Sequence, residues 1–205
     1  LKAGNTSFFT RKGSAESNFK GWTVITHDNL ANAITDGGLG HNYVLGSDLD
    51  LSGIANWTPI GNSTTRFTGN FDGLGHVVDK LTINRPTENY IGLFGYANEA
   101  TIKNIGLTNV NITGGDNAYI GGLVGKMNSY STVSNSYSTG SVTSDGIVGG
   151  LVGHIISSTV SNSYSTGSVI GGNYTSVGGL VGDLSFSSSS ISNSYFTGSV
   201  TGGIG

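Results

Sequence analysis

The chain has 205 residues with 35 glycines, no cysteine and only 10% charged residues, at a net charge of −3. The lack of cysteine excludes disulfides, zinc–thiolate sites and thiol catalysis. The sparse charge argues against a nucleic-acid partner, which needs a basic face to displace counterions from phosphate.

No apolar run approaches the roughly 20 residues that cross a bilayer, so no membrane span is expected in this segment. No signal peptide opens the chain, and it ends mid-pattern at Ile204-Gly205, so it reads as part of something longer. Composition rich in Ser, Thr, Asn and Gly can signal disorder. Here apolar residues still make up 36% and recur in register, which a disordered chain has no reason to preserve.

Residues 1–90 carry 15 of the 21 charges and repeat least regularly. Asp28 to Thr35 predicts a short helix: Leu30, Ala33 and Ile34 share a face, Asp28 can cap it, and Gly37-Gly38 stops it. Tyr43 to Leu51 alternates like a strand, and Val77 to Ile83 predicts another after the turn-rich run Phe67 to Gly75. These read as irregular first coils, with the helix covering an end that would otherwise template aggregation.

Residues 91–205 are a repeat array. Ile91-Gly-Leu-Phe-Gly95 returns as Gly-Gly-Leu-Val-Gly at 121–125, 149–153 and 178–182, with the Gly before each Leu at 92, 122, 150 and 179. A second box places Asn at 104, 135, 162 and 193, the last three within Asn-Ser-Tyr, and Thr-Gly-Ser-Val closes units at 139–142, 166–169 and 197–200. A period of about 29 residues means stacked units, none stable alone. Gly, Ser, Thr, Val and Tyr are poor helix formers, and Val133-Ser-Asn-Ser-Tyr137 alternates with the period of a strand. Three short strands with Gly or Asn turns fit one coil of a parallel β-helix; a propeller blade takes about 40 residues or more. In such a solenoid Asn104, Asn135, Asn162 and Asn193 stack about 4.8 Å apart, the spacing of a hydrogen-bonded amide ladder. A binding role is the alternative for these four.

These boxes resemble the GLUG repeat of large bacterial exported proteins. Tyr43-Val-Leu-Gly-Ser-Asp-Leu-Asp-Leu-Ser52, Trp57-Thr-Pro-Ile-Gly61, Phe67-Thr-Gly-Asn-Phe-Asp-Gly-Leu-Gly-His76 and Leu81-Thr-Ile-Asn-Arg-Pro86 are similar to the same run in filamentous-haemagglutinin-like exoproteins. The resemblance covers roughly residues 22 to 205. It implies a right-handed β-helix exported by Gram-negative bacteria through an outer-membrane transporter (two-partner secretion). It also implies a secreted or cell-surface location and adhesion to host-cell or surface glycans and proteins. GLUG repeats occur as accessory segments in some surface peptidases as well.

Candidate chemistry is thin. Asp48, Asp50 and Asp72 are the carboxylates to test for glycosidase work, with Asp48 and Asp50 pointing outward from one strand about 7 Å apart. Outward Asp is ordinarily a solvated face, and Asp72-Gly73 reads as turn chemistry. The histidines at 27, 41, 76 and 154 lack metal-ligand spacing, and no phosphate loop or nucleophile elbow occurs. No catalytic, metal or cofactor site is therefore expected. A non-catalytic adhesin shaft is the leading expectation. An ice-binding face built on Thr139, Thr143, Thr166 and Thr197, a passive spacer and a polysaccharide-active β-helix enzyme are the alternatives.

Overall fold

A computed structural model describes residues 7–11, 19–26, Leu30, Ile34, 38–173 and 175–203. The helix expected over 28–35 lies outside the described residues apart from Leu30 and Ile34, which are helical and buried in the core. The chain winds into an all-β parallel solenoid of about 5 coils spaced ~29 residues apart.

One coil consists of Tyr119–Gly121, Val124–Asn128, Thr132–Ser134 and Tyr137–Ser144, so it has four strands where three were expected. The reason is local. The Gly-Gly-Leu-Val-Gly box is a corner between two strands, not a strand: a Cβ on Gly121 would sit 2.4 Å from the carbonyl oxygen of Val124 and 2.7 Å from that of Leu151 in the next coil. Leu123 and Leu151 point inward from this corner, fully buried. Each such side chain contributes about 1.5–3 kcal/mol by leaving water.

The expected alternation across Val133–Tyr137 also breaks. Asn135 has φ +49°, as do its equivalents Asn104 (+54°), Asn162 (+48°) and Asn193 (+46°). Asn is among the few non-glycine residues that enter this left-handed region at low cost. The turn resets the phase, so Ser136 is buried beside Val133 while Tyr137 faces outward.

Pairing is parallel and in register from coil to coil, which excludes a propeller. Tyr43, Phe71, Ile102, Val133, Val160 and Ile191 form one column through the eight-stranded sheet. At the other end of this sheet Ser7–Arg11 lies antiparallel on Phe19–Ile25, and Phe19–Ile25 then pairs in parallel with Asn42–Leu45. Aromatic side chains fill the early coils, where Phe94 meets Phe67 at 4.8 Å and Phe71 at 5.2 Å between ring centroids.

Candidate functional site

The Asn positions form a column on one corner. Asn104 donates to the carboxylate of Asp72 at 2.9 Å, and Asn135 donates to the amide oxygen of Asn104 at 3.1 Å. Beneath them runs a buried serine row that sequence reasoning did not single out. The hydroxyls of Ser136 and Ser163 donate to Ser134 and Ser161 carbonyls of their own coil, at 2.8 and 2.7 Å. Each also accepts a backbone amide from the preceding coil, from Ile105 and Ser136 respectively. Ser131 and Ser158 make the same link at the next corner. Buried hydroxyls thus satisfy amides that the tight turns leave without a ladder partner.

Outward from these turns, Tyr137, Tyr164 and Tyr195 stack at 4.9 and 5.0 Å with planes 4° and 5° apart. Within the row the faces cover one another, and Tyr195, which has the single ring partner Tyr164, is the most exposed of the three at 54%. Of the threonines considered for an ice lattice, Thr139, Thr166 and Thr197 occupy equivalent positions, but the Thr143 column is interrupted: Thr143 pairs with Ile170, which pairs with Thr201.

The structure places two of the candidate carboxylates on different sheets. Asp50 lies in the nine-stranded sheet, while the largely buried Asp72 lies in the eight-stranded sheet, bonded to Asn104 and paired with Lys103 at 3.2 Å. Asp48 accepts from the amide of Val77 at 2.9 Å and contacts His76 at 3.0 Å; both hold its carboxyl below the usual range. The Ser52 amide and then the Lys80 ammonium hold Asp50 at about 2. General acid catalysis by a carboxyl needs the opposite shift, since one partner must keep its proton near neutrality. Among the described residues no group of three or more His, Asp or Glu could hold a metal.

A different cluster lies where the non-repeating loop of the first coils crosses the solenoid. Ile60 and Phe67 bridge this loop to Phe94 and Ala97. Here Tyr90 packs on Tyr96 (5.0 Å) and Tyr119 (5.9 Å), and Tyr119 stacks on His154 at 4.8 Å. Lys126 sits 4.9 Å from the ring centre of Tyr119 and 5.5 Å from that of Tyr96, and the Arg66 guanidinium covers Tyr96 at 4.8 Å. Burial, and then the nearby Arg66 charge, push the Lys126 ammonium down. Beside it lies a cleft of about 740 Å³ lined by Trp57, Pro59, Ile60, Thr65 and Arg66 among others. The repeat itself stacks part of this cluster, since Tyr119 pairs with Tyr90 and Lys126 pairs with Tyr96 and His154 in register, whereas Arg66 comes from the non-repeating loop.

A family model described as the M26 IgA1-specific metallo-endopeptidase N-terminal region matches residues 3–140, and the GLUG motif matches residues 144–170 and 173–201. Among curated proteins, the chain is 32% identical over 160 residues to Halomucin of Haloquadratum walsbyi. It is 34% identical over 141 residues to a "Putative Gly-rich membrane protein" of Evansella cellulosilytica. These alignments cover 72% and 65% of this chain but span only 2% and 16% of the two relatives. A solved structure described as a "putative immunoglobulin A1 protease" from Bacteroides ovatus shares the fold, with TM-score 0.62 at 21% identity over 92% of this chain and 68% of that one. The chain belongs to the family of the M26 IgA1-specific metallo-endopeptidase N-terminal region, and it continues into GLUG motifs.

Proposed function

We propose that this chain is a non-catalytic attachment segment of a secreted or cell-surface protein, a solenoid shaft that contacts glycans or proteins on cells and surfaces. The observation that carries this reading is the outward Tyr137–Tyr164–Tyr195 row, repeated coil by coil on a rigid scaffold. Equivalent weak contacts at a fixed spacing add through avidity. A family named for the N-terminal region of an endopeptidase fits an accessory contact segment better than a reaction centre. Relatives named as a halomucin and a membrane protein support a surface location.

The resemblance to filamentous-haemagglutinin-like exoproteins supports export through an outer-membrane transporter in a Gram-negative cell. Surface display that needs the transporter is the corresponding expectation.

Distributed attachment has a specific test. Deleting residues 150–178 removes one unit and joins Gly149 to Gly179, keeping the Gly-Gly corner. Attachment of whole cells displaying the shortened protein should weaken in a graded way, with the solenoid still folded by circular dichroism. Full attachment after the deletion would make this stretch a spacer. Abolition by a single point substitution would make it a one-site lectin or enzyme.

A further inference from the structure

Charged side chains are scarce here, and three of the five described lysine and arginine side chains have a carboxylate partner. Lys80 meets Asp50 at 2.9 Å, Lys103 meets Asp72 at 3.2 Å, and Arg85 meets Glu88. Arg66 and Lys126 are the exceptions among the described lysine and arginine side chains. Neither has a carboxylate partner, yet the two meet on the same Tyr96 ring. The tyrosine faces offset part of the repulsion and desolvation of these two like charges, and an anion between them would offset the rest.

The surroundings narrow the anion's chemistry. The ridge from Thr58 to Asn62 separates the 740 Å³ cleft, with Arg66 on its rim, from a second cleft of about 320 Å³ with Tyr90 on its rim. Both volumes fall in or near the range of about 300–1,000 Å³ usual for small-ligand sites. The larger cleft has apolar walls at Ile54, Trp57, Pro59 and Ile60, and Arg66 is the single charged residue among its described lining. Most lining polar groups are already bonded within the protein: Asn56 exchanges two bonds with Asn84, and Thr58 accepts from Arg85. What remains on offer is Arg66 in the lining of the larger cleft, with Tyr96 and Lys126 next to it but outside the linings of both clefts. That suits a sugar ring bearing one acidic group, with its C–H face on the apolar wall. A densely charged polyanion would be repelled by the net charge of −3.

We propose that Arg66, Lys126 and Tyr96, with the cleft beside Trp57 and Pro59, form a binding site for the carboxylate or sulfate group of an acidic saccharide. This rests on the attachment reading and gives it a ligand class.

The test is calorimetric titration of the intact chain with trigalacturonate, a sulfated trisaccharide, a neutral trisaccharide and triglutamate. One or both acidic saccharides should bind, the neutral one at least about tenfold more weakly, and Arg66→Gln and Lys126→Gln should each weaken binding about tenfold. The two acidic arms separate carboxylate from sulfate. Because Lys126 is partly buried, circular dichroism checks its variant, and the exposed Arg66→Gln stands as the independent test. Three results overturn the site: no binding of either acidic saccharide to about 10 mM, unchanged affinity in the double variant, or triglutamate binding as tightly. Arg66-dependent saccharide binding by a chain that attaches to no cell would leave the site standing and remove the attachment reading. Attachment that survives while saccharide affinity ignores both substitutions would do the reverse.

Discussion

The backbone amide of Ser136 donates to the hydroxyl oxygen of Ser163, one coil further along, at 3.2 Å. The same hydroxyl donates to the carbonyl of Ser161 at 2.7 Å, so one buried side chain ties two coils and closes its own turn. Replacing Ser163 by Ala leaves the buried Ser136 amide without its partner, whereas the Ser161 carbonyl keeps the Asn135 amide. The expected loss is about 1–3 kcal/mol, read from urea unfolding. The half-exposed Ser134 donates or accepts no side-chain bond of this kind, and Ser134→Ala should change the midpoint little. Equal midpoints for both variants would show that the serine row is filler.

Asn162 separates two explanations of its column. Its φ of +48° penalises a β-branched residue, so Asn162→Val should cost about 1–2 kcal/mol. Gly relieves the backbone but deletes the amide. Near-wild-type stability of Asn162→Gly by thermal melting assigns the position to backbone geometry, whereas a loss as large as that of Val assigns it to an amide ladder.

Leu151 is fully buried at the Gly-Gly-Leu-Val-Gly corner. Leu151→Ala should cost about 2–5 kcal/mol, and Leu151→Asp more, because no partner awaits the charge. An unchanged melting temperature for the Asp variant would mean that this corner points to solvent.

His154 is buried, its Nδ1 has no hydrogen-bond partner, and burial followed by the Lys126 charge hold its pKa below the ordinary value, against the pull of Asp183. The unfolded chain therefore binds a proton first as pH falls below about 6.5, where the native state still resists it. Stability should be complete above that pH and decline as pH falls toward the native-state pKa. Urea midpoints at pH 7.5 and 5.5 should differ more in the wild type than in His154→Gln; an equal difference would place the acid sensitivity elsewhere.

The architecture was legible in the sequence because stacking is one-dimensional. Leu123 and Leu151 each meet their own equivalents one period away, so the repeat alone announces both the solenoid and its core. The Asn column was visible for the same reason, but its backbone conformation was not. The left-handed turn at Asn135 resets the alternation, sending Ser136 inward and Tyr137 outward, and a period-two reading has no means of detecting such a phase change. The placement of Asp50 and Asp72 on different sheets was equally hidden, because the sheet each joins is decided by where the chain turns. Tyr96 and Lys126 each follow the last Gly of successive boxes, so the repeat pairs them, but Arg66 belongs to no box. Only the path of the non-repeating loop brings Arg66 onto the ring that Lys126 already neighbours through the repeat.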